Sequence, residues 1–233
     1  QVYRVEPGVL RRGAVAVKVQ RPGVLETVAA DAALARAAAG WLEGLRGPGG
    51  GRLLRPALVR SVDEFFSRLY EEFDFVNEKA NLDAFAETYG PRSREGKRLG
   101  GRVLLPRPLP KYCGRRVLTM SWVDGAPLMA PGTAALPASE LPLVRFGIRC
   151  TLSQLLETGL MHADPHAGNI LRPPPSRAAR WRARLRLPAP RPTLAYIDFG
   201  MVSRVPLEVR EALVCAVCLL LYARDVRKVA ALF

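Results

Sequence analysis

Five polar residues punctuate this chain in a fixed order. Lys18 closes the apolar run Ala14-Val15-Ala16-Val17. Glu72 lies on the next long amphipathic segment, Asp164 and Asn169 stand five positions apart, and Asp198 opens Asp198-Phe199-Gly200 after another apolar run. A lysine at the end of a strand needs an early sheet, and the later acids sit among mainly helical patterns. Strands and one long helix first, then mostly helices, predict an α+β chain. The expected division is a small sheet-bearing N-lobe over residues 1–125 and a mainly helical C-lobe over 126–233.

Composition narrows the class. Hydrophobic residues are 49% and charged residues 24% of the 233 positions, which excludes a wholly disordered or fibrous chain. The longest apolar run, Ala212 to Tyr222, falls well short of the roughly 20 residues that span a bilayer. Four cysteines are too few for a disulfide scaffold and predict a reducing compartment. The net charge of +14 invites a nucleic-acid or membrane reading. The excess is concentrated, however: residues 172–191 hold seven arginines and no acid. Five prolines in that tract predict a solvated insertion rather than a folded groove, so nucleic acid is not expected as a partner.

The local patterns predict a hairpin from Val2–Val5 and Ala14–Val19, turning through Pro7, Gly8 and Gly13. Val24–Leu45 is alanine-rich and helical by propensity, and Gly47–Gly51 breaks it. Val62, Phe65, Phe66, Leu69, Tyr70 and Phe73 follow helical spacing and predict one helix from about Ser61 to Glu87. Residues 91–102 read as a basic surface loop, Val103–Leu105 and Arg116–Met120 as strands, and Pro127–Pro142 as a linker. Leu143–Thr158 reads as a helix with Gly159 as its C-cap. Leu194–Ile197 reads as a strand, and Leu207–Tyr222 as a mostly buried helix begun by Pro206.

Each chemical residue has a bland reading beside its sharp one. Lys18 alone is a solvated strand end, or else a lysine that reaches nucleotide phosphates and needs a carboxylate to hold it. Glu72, Glu78 and Asn81 follow on the helix, with Glu78 about 120° from Glu72 at helical pitch. His162-Ala163-Asp164-Pro165-His166 admits a metal-site reading, since three ligand types fall within five residues. Against it, the chain holds only two histidines. The alternative uses Asp164 as base and Asn169 as a Mg²⁺ ligand, at the spacing of a kinase catalytic loop, with Asp198 as the second Mg²⁺ element. Cys215-x-x-Cys218 reads as two small core residues, because a zinc ribbon needs a second pair.

Together these segments resemble the UbiB-like, aarF-domain-containing family of atypical kinases, over nearly the whole chain. Val15-Ala16-Val17-Lys18-Val19-Gln20-Arg21-Pro22-Gly23, Glu72-Phe73-Asp74-Phe75, Leu118 to Gly125, Gly159 to Asn169 and Leu194 to Pro206 carry the resemblance. Gln1-Val2-Tyr3-Arg4 looks like the segment just after that family's alanine-rich nucleotide loop, so the chain reads as a piece of a longer protein. The last stretch looks most like plastid and cyanobacterial members.

The resemblance implies a protein-kinase-like fold, ATP binding and Mg²⁺ dependence. By position, Lys18 would contact the phosphates and Glu72 would pair with it, while Glu78 takes the second acidic position. Asp164 would be the base or would orient the attacking group, and Asn169 and Asp198 would hold metal. Met120 would border the adenine pocket, with backbone groups of Ser121 and Val123 on the adenine edge. Departures include Ser121 where the hinge usually carries Glu, Ala167 in place of Pro, the long insertion, and no Ala-Pro-Glu after Asp198-Phe199-Gly200. These predict a poor generic protein kinase, and rather an ATPase or small-molecule kinase serving isoprenoid-quinone or prenyl-lipid metabolism. A nucleotide-sensing, lipid-binding module with little turnover is the alternative. The family further implies a lipid or quinone-precursor ligand, association with a membrane surface or lipid droplet, and a plastid location, with the mitochondrion second.

Overall fold

A computed structural model describes residues 1–6, 13–46, 57–128, 138–166, 168–185, 187, 192–224 and 226–230. The expected turn at Pro7 and Gly8, the break at Gly47–Gly51 and Ala167 lie outside these residues. The chain divides into two compact units, each discontinuous in sequence. The first comprises residues 1–79 and 108–121, the second 80–107 and 122–233. A single boundary at 125 would have kept 80–107 in the first unit. Those residues instead pack with the C-terminal part of the chain.

In the first unit, β1 (Val2–Val5), β2 (Val15–Val19) and β4 (Val117–Ser121) form an antiparallel sheet in the order β1-β2-β4. The register sets Ala16 opposite Met120 and Lys18 opposite Leu118. Val15 and Ala16 are buried, as are Leu118, Thr119 and Met120. Residues of β2 thus supply the inner surface, and Lys18 follows at its edge. Gly23 adopts a left-handed conformation (φ 73°) that ends the strand connection and starts α1 (Val24–Gly44). Helix α1 packs on α2 (Leu58–Phe73), with an ion pair of 2.5 Å between Arg36 and Asp63.

The single helix expected over 61–87 is two helices. Asp74 leaves the helical region (φ −91°, ψ 99°), and α3 (Phe75–Tyr89) starts immediately after it. The Asp74 carboxylate accepts the Val76 N–H at 3.0 Å, the capping interaction that Asp favours over continuing a helix.

The second unit contains a four-stranded sheet in the order β3-β8-β7-β5. Its strands are β3 (Val103–Leu104), β5 (Ala126–Pro127), β7 (Ile170–Arg172) and β8 (Leu194–Tyr196). β3 and β8 are parallel, the other pairs antiparallel. A β-ribbon joins β6 (Leu160–His162) to β9 (Val202–Arg204). Gly125 approaches β7 so closely that a Cβ there would lie 2.8 Å from Leu171 Cβ, which explains a glycine before β5.

The 91–102 stretch is not all loop. Ser93 caps a short α4 (Arg94–Arg98), and Gly96 is buried. Helix α5 (Leu141–Leu152) runs on through a π-helical turn over Ser153–Thr158 and stops at Gly159, which has φ 73° as a C-cap requires. The insertion carries α6 (Arg177–Arg184), so it is not merely a solvated loop. Helix α7 (Leu207–Cys218) leads through a π-helical turn (Leu219–Ala223) to α8 (Val226–Ala230). It was expected to be mostly buried. Leu207, Val214, Val217 and Leu221 are instead exposed, and Ala216 alone is buried on α7. No helix among the described residues is long and apolar enough to cross a membrane.

The core of the second unit is aromatic. Phe85, Tyr89, His162, Tyr196 and Phe199 are all almost fully buried. Phe85 lies 5.2 Å from Phe199 and 5.8 Å from Tyr196, ring centre to ring centre. Such tilted and edge-on pairs add to the gain from area burial. Tyr89 donates its hydroxyl proton to the Leu160 carbonyl at 2.8 Å and hydrogen-bonds Thr158. Burial pushes the Tyr89 phenol up to about 12 and the Cys150 thiol up to about 12.

Candidate functional site

The first unit builds its group around Lys18. The Lys18 ammonium donates to both carboxylate oxygens of Glu78, at 2.9 and 2.8 Å. Glu78 is 2% exposed and Lys18 19% exposed, so the pair is largely removed from water. The Phe75 ring centre lies 5.3 Å from the same ammonium, a cation–π contact that is stronger when dry.

The start of α3 is tied down on several sides. Gln20, two residues after Lys18, donates to the Phe73 carbonyl at 3.2 Å. The Phe75 N–H donates to the Arg115 carbonyl at 3.3 Å, and the Glu78 N–H to the Asp74 carbonyl at 3.2 Å. The helix that bears Glu78 is thus fastened to the strand that bears Lys18.

Among the described side chains, the carboxylate that holds Lys18 is Glu78, the residue expected only at the second acidic position. Glu72 is in the last turn of α2, before the break at Asp74, and its side chain is not among those described. One helical phase does not run from Glu72 to Glu78, because the chain leaves the helix at Asp74 between them. Met120 is buried in β4 opposite Ala16, and Ser121 follows opposite Val15. Val123, in the second unit, is half-buried.

The second unit gathers Asp164, Asn169 and Asp198. The Asn169 amide donates to the Asp164 carbonyl at 3.2 Å and faces an Asp164 carboxylate oxygen at 3.3 Å. The Ile197 N–H donates to the Asn169 carbonyl at 3.2 Å, which fixes the loop against the strand end that presents Asp198. Asp198 accepts the Gly200 N–H at 3.0 Å. Asn81 on α3 donates to the Phe199 carbonyl at 3.0 Å and so braces the Asp-Phe-Gly turn.

The two histidines separate in role. His162 is 1% exposed, and its ring lies among Phe85, Tyr196 and Phe199. Its Nε2 hydrogen-bonds the Asp198 carbonyl, which makes that nitrogen the donor. Its Nδ1 is buried with no hydrogen-bond partner among the described residues. Burial lowers the His162 pKa from its ordinary value, so the ring is neutral.

The His162 backbone N–H donates to the Gln154 side-chain oxygen at 3.1 Å, and the Gln154 amide reaches the Tyr196 hydroxyl at 3.3 Å. The π-helical turn after α5 is what brings Gln154 inward, a use that such turns often have near functional residues. Sequence periodicity carries no signal for it. His166 stays near the surface, its Nε2 3.4 Å from Asp164 and its Nδ1 accepting from the Gly168 N–H at 3.0 Å. The His-x-Asp-x-His metal reading therefore fails: one ring is sealed in the core. No cluster of three metal-binding His, Cys, Asp or Glu side chains occurs among the described residues. Cys215 and Cys218 are exposed free thiols rather than the core residues expected.

The oxygen donors of Asp198 and Asn169 suit a hard cation. Mg²⁺ commonly takes one or two protein oxygens and fills the rest of its shell with water and phosphate. Two oxygen-bearing side chains on hydrogen-bonded neighbouring segments fit that demand, and do not fit a closed zinc cage.

A family model described as the ABC1 atypical kinase-like domain matches residues 1–233. Among curated proteins, the chloroplastic protein Activity of bc1 complex kinase 3 of Arabidopsis thaliana is 35% identical over 210 residues. That alignment covers 86% of this chain and 24% of the relative. A chloroplastic aarF domain-containing protein kinase of the same plant is 35% identical over 232 residues, covering 99% of this chain and 28% of the relative. The chain thus spans about a quarter of the length of these relatives. Among solved structures, Rv3197 of Mycobacterium tuberculosis, determined in complex with erythromycin, superposes with a TM-score of 0.59 at 24% identity. The match covers 90% of this chain and 46% of that one, and is a likeness of fold alone.

Proposed function

The chain belongs to the ABC1 atypical kinase-like family, whose α+β kinase-like fold it has, and on that footing we propose that it binds Mg-ATP as part of an atypical kinase or ATPase. The observation that carries the reading is the buried Lys18–Glu78 pair. A dry ammonium held from behind by a carboxylate is positioned to meet a second anion, and nucleotide phosphates are the anions a kinase-type lysine meets.

In this reading the Lys18 ammonium binds phosphate oxygens and Glu78 keeps it oriented. Asn169 and Asp198 would hold Mg²⁺, which when bound offsets the phosphate charge. Asp164 accepts a hydrogen bond from the attacking hydroxyl or water and aligns it, while Asn169 steadies the Asp164 carboxylate. Met120 borders the adenine, with backbone groups of Ser121 and Val123 on its edge. His162 binds nothing in the reaction: it fixes the Asp198 backbone from the core side.

The proposal extends to support of isoprenoid-quinone or prenyl-lipid metabolism, with a lipid or quinone-precursor ligand. It places the protein in the plastid, a reading that the chloroplastic relatives support. The test is thermal unfolding with and without ATP and magnesium chloride, on the wild type, Lys18→Met and Asp198→Ala. A ligand bound only by the folded state at a hundred times its Kd stabilises by about 2.7 kcal/mol. We expect a magnesium-dependent rise in Tm that both variants lose. An equal rise in wild type and Asp198→Ala would sink the reading. Turnover of ATP lost in Asp164→Asn with the Tm shift retained would separate catalysis from mere nucleotide sensing.

A further inference from the structure

The basic insertion holds an organised surface. Three prolines, Pro173 to Pro175, precede it, and Ser176 starts α6 by accepting the Ala179 N–H at 3.1 Å. At about 100° per residue, Arg177, Arg180, Trp181 and Arg184 share a sector about 100° wide. Those four side chains line one open concavity of about 470 Å³. Ala179, on the other side of the helix, is buried. Trp181 is 60% exposed, and Leu185, four residues on, is 51% exposed beside it. No ion pair is described for Arg177, Arg180 or Arg184 among the described residues. The nearby acid Glu140 is engaged by Arg172.

Helix α6 therefore presents a row of guanidinium groups bordered by an indole and a leucine, and turns Ala179 inward. A helix that only solvates an insertion has no need to hold a tryptophan in water next to its charges. A pocket for a small free phosphate would hold buried polar side chains, and this concavity is open. The pairing of arginines with an exposed indole matches the chemistry of a lipid–water interface. There Arg reaches phosphates on a long apolar stem, and Trp rests at headgroup depth.

We propose that the Arg177/Arg180/Arg184 row and Trp181 of α6 dock this chain on the surface of an anionic bilayer. The helix lies along the surface, with the guanidinium groups on lipid phosphates and the indole and Leu185 among the headgroups. This is independent of nucleotide binding, since α6 contains none of the residues assigned to it.

The experiment is co-sedimentation of the full chain with phosphatidylcholine vesicles, with and without phosphatidylglycerol. Binding is expected only to the vesicles that contain phosphatidylglycerol, and to weaken as salt is raised. Each arginine near an anionic surface contributes roughly fivefold in affinity, so Arg177→Gln/Arg180→Gln/Arg184→Gln should lose on the order of a hundredfold. Trp181→Ser should lower binding at high salt as well, and Trp181→Phe should remove the blue shift of tryptophan emission on adding vesicles. Melting curves of the variants identify any that fail to fold, and Trp181→Phe keeps the test alive if the triple variant does. Equal binding to pure phosphatidylcholine, or undiminished binding by the triple variant, would overturn the proposal. So would RNA that binds the wild type as tightly as the anionic vesicles do.

Discussion

The lysine group and the acid group of this chain are built by opposite means. Lys18 and Glu78 are 60 residues apart, come from a strand and a helix, and meet in a nearly dry setting. Asp164 and Asn169 are five residues apart in one loop, and the strand end before Asp198 is tied to that loop by the backbone hydrogen bond from Ile197 to Asn169. The first arrangement depends on packing. The second depends on loop geometry and on the backbone groups the loop itself supplies. The contrast teaches that the pair is the less tolerant of the two: neither charge can be removed without leaving the other in a low-dielectric surrounding.

The largest expected effect follows from that. Lys18→Met leaves the Glu78 carboxylate buried without its ammonium and should destabilise the protein by about 3–5 kcal/mol. Urea unfolding measures this. Glu78→Gln should be costly in the same assay, and a loss as large in Glu72→Gln would show that the expected Glu72 pairing holds Lys18 as well. The loop group should respond more mildly. Asn169→Ala removes hydrogen bonds to the Asp164 carboxylate and carbonyl, worth about 1.5–3 kcal/mol where a charged group is involved. If it cost more than Lys18→Met, the contrast between the two groups would collapse.

A smaller effect probes how α3 is aimed. Asp74→Ala loses the cap at the helix start and should cost about 1 kcal/mol. Asp74→Asn should restore most of it, which distinguishes capping from the distant charge of Arg115, 3.9 Å away.

The smallest effect is in pH. His162 has its pKa lowered by burial, so the unfolded chain takes up a proton before the folded one does. Its contribution to stability is complete above the unfolded value of about 6.5 and falls as pH drops below it. The slope of unfolding free energy against pH below 6.5 should flatten in His162→Phe; an unchanged slope would place the titrating group elsewhere.

Much of this was legible beforehand because it is local. Lys18 ending a strand, the Gly159 cap, and the Asp164-to-Asn169 spacing followed by Asp198-Phe199-Gly200 are set within a few residues by chain geometry and side-chain chemistry. Asp74 was visible as well, flanked by Phe73 and Phe75, but helical periodicity ran straight through it. Periodicity records which residues are apolar and is blind to an Asp that prefers its own backbone as a partner.

The sequence by itself carried the α+β class, the resemblance to the family through its motif segments, and the placing of Lys18 at a strand end and of Asp164 and Asn169 in one loop ahead of Asp198. It could do so because those features depend on short-range spacing. Only the tertiary structure decided that Glu78 grips Lys18, and that His162 is a neutral core residue under Asp198 rather than a metal ligand. It also decided that α7 keeps its apolar side chains at the surface while the arginine-rich insertion forms a helix with one tryptophan-bearing face. Each of these rests on which segments pack together over long stretches of chain, and burial by distant residues leaves no period in the sequence.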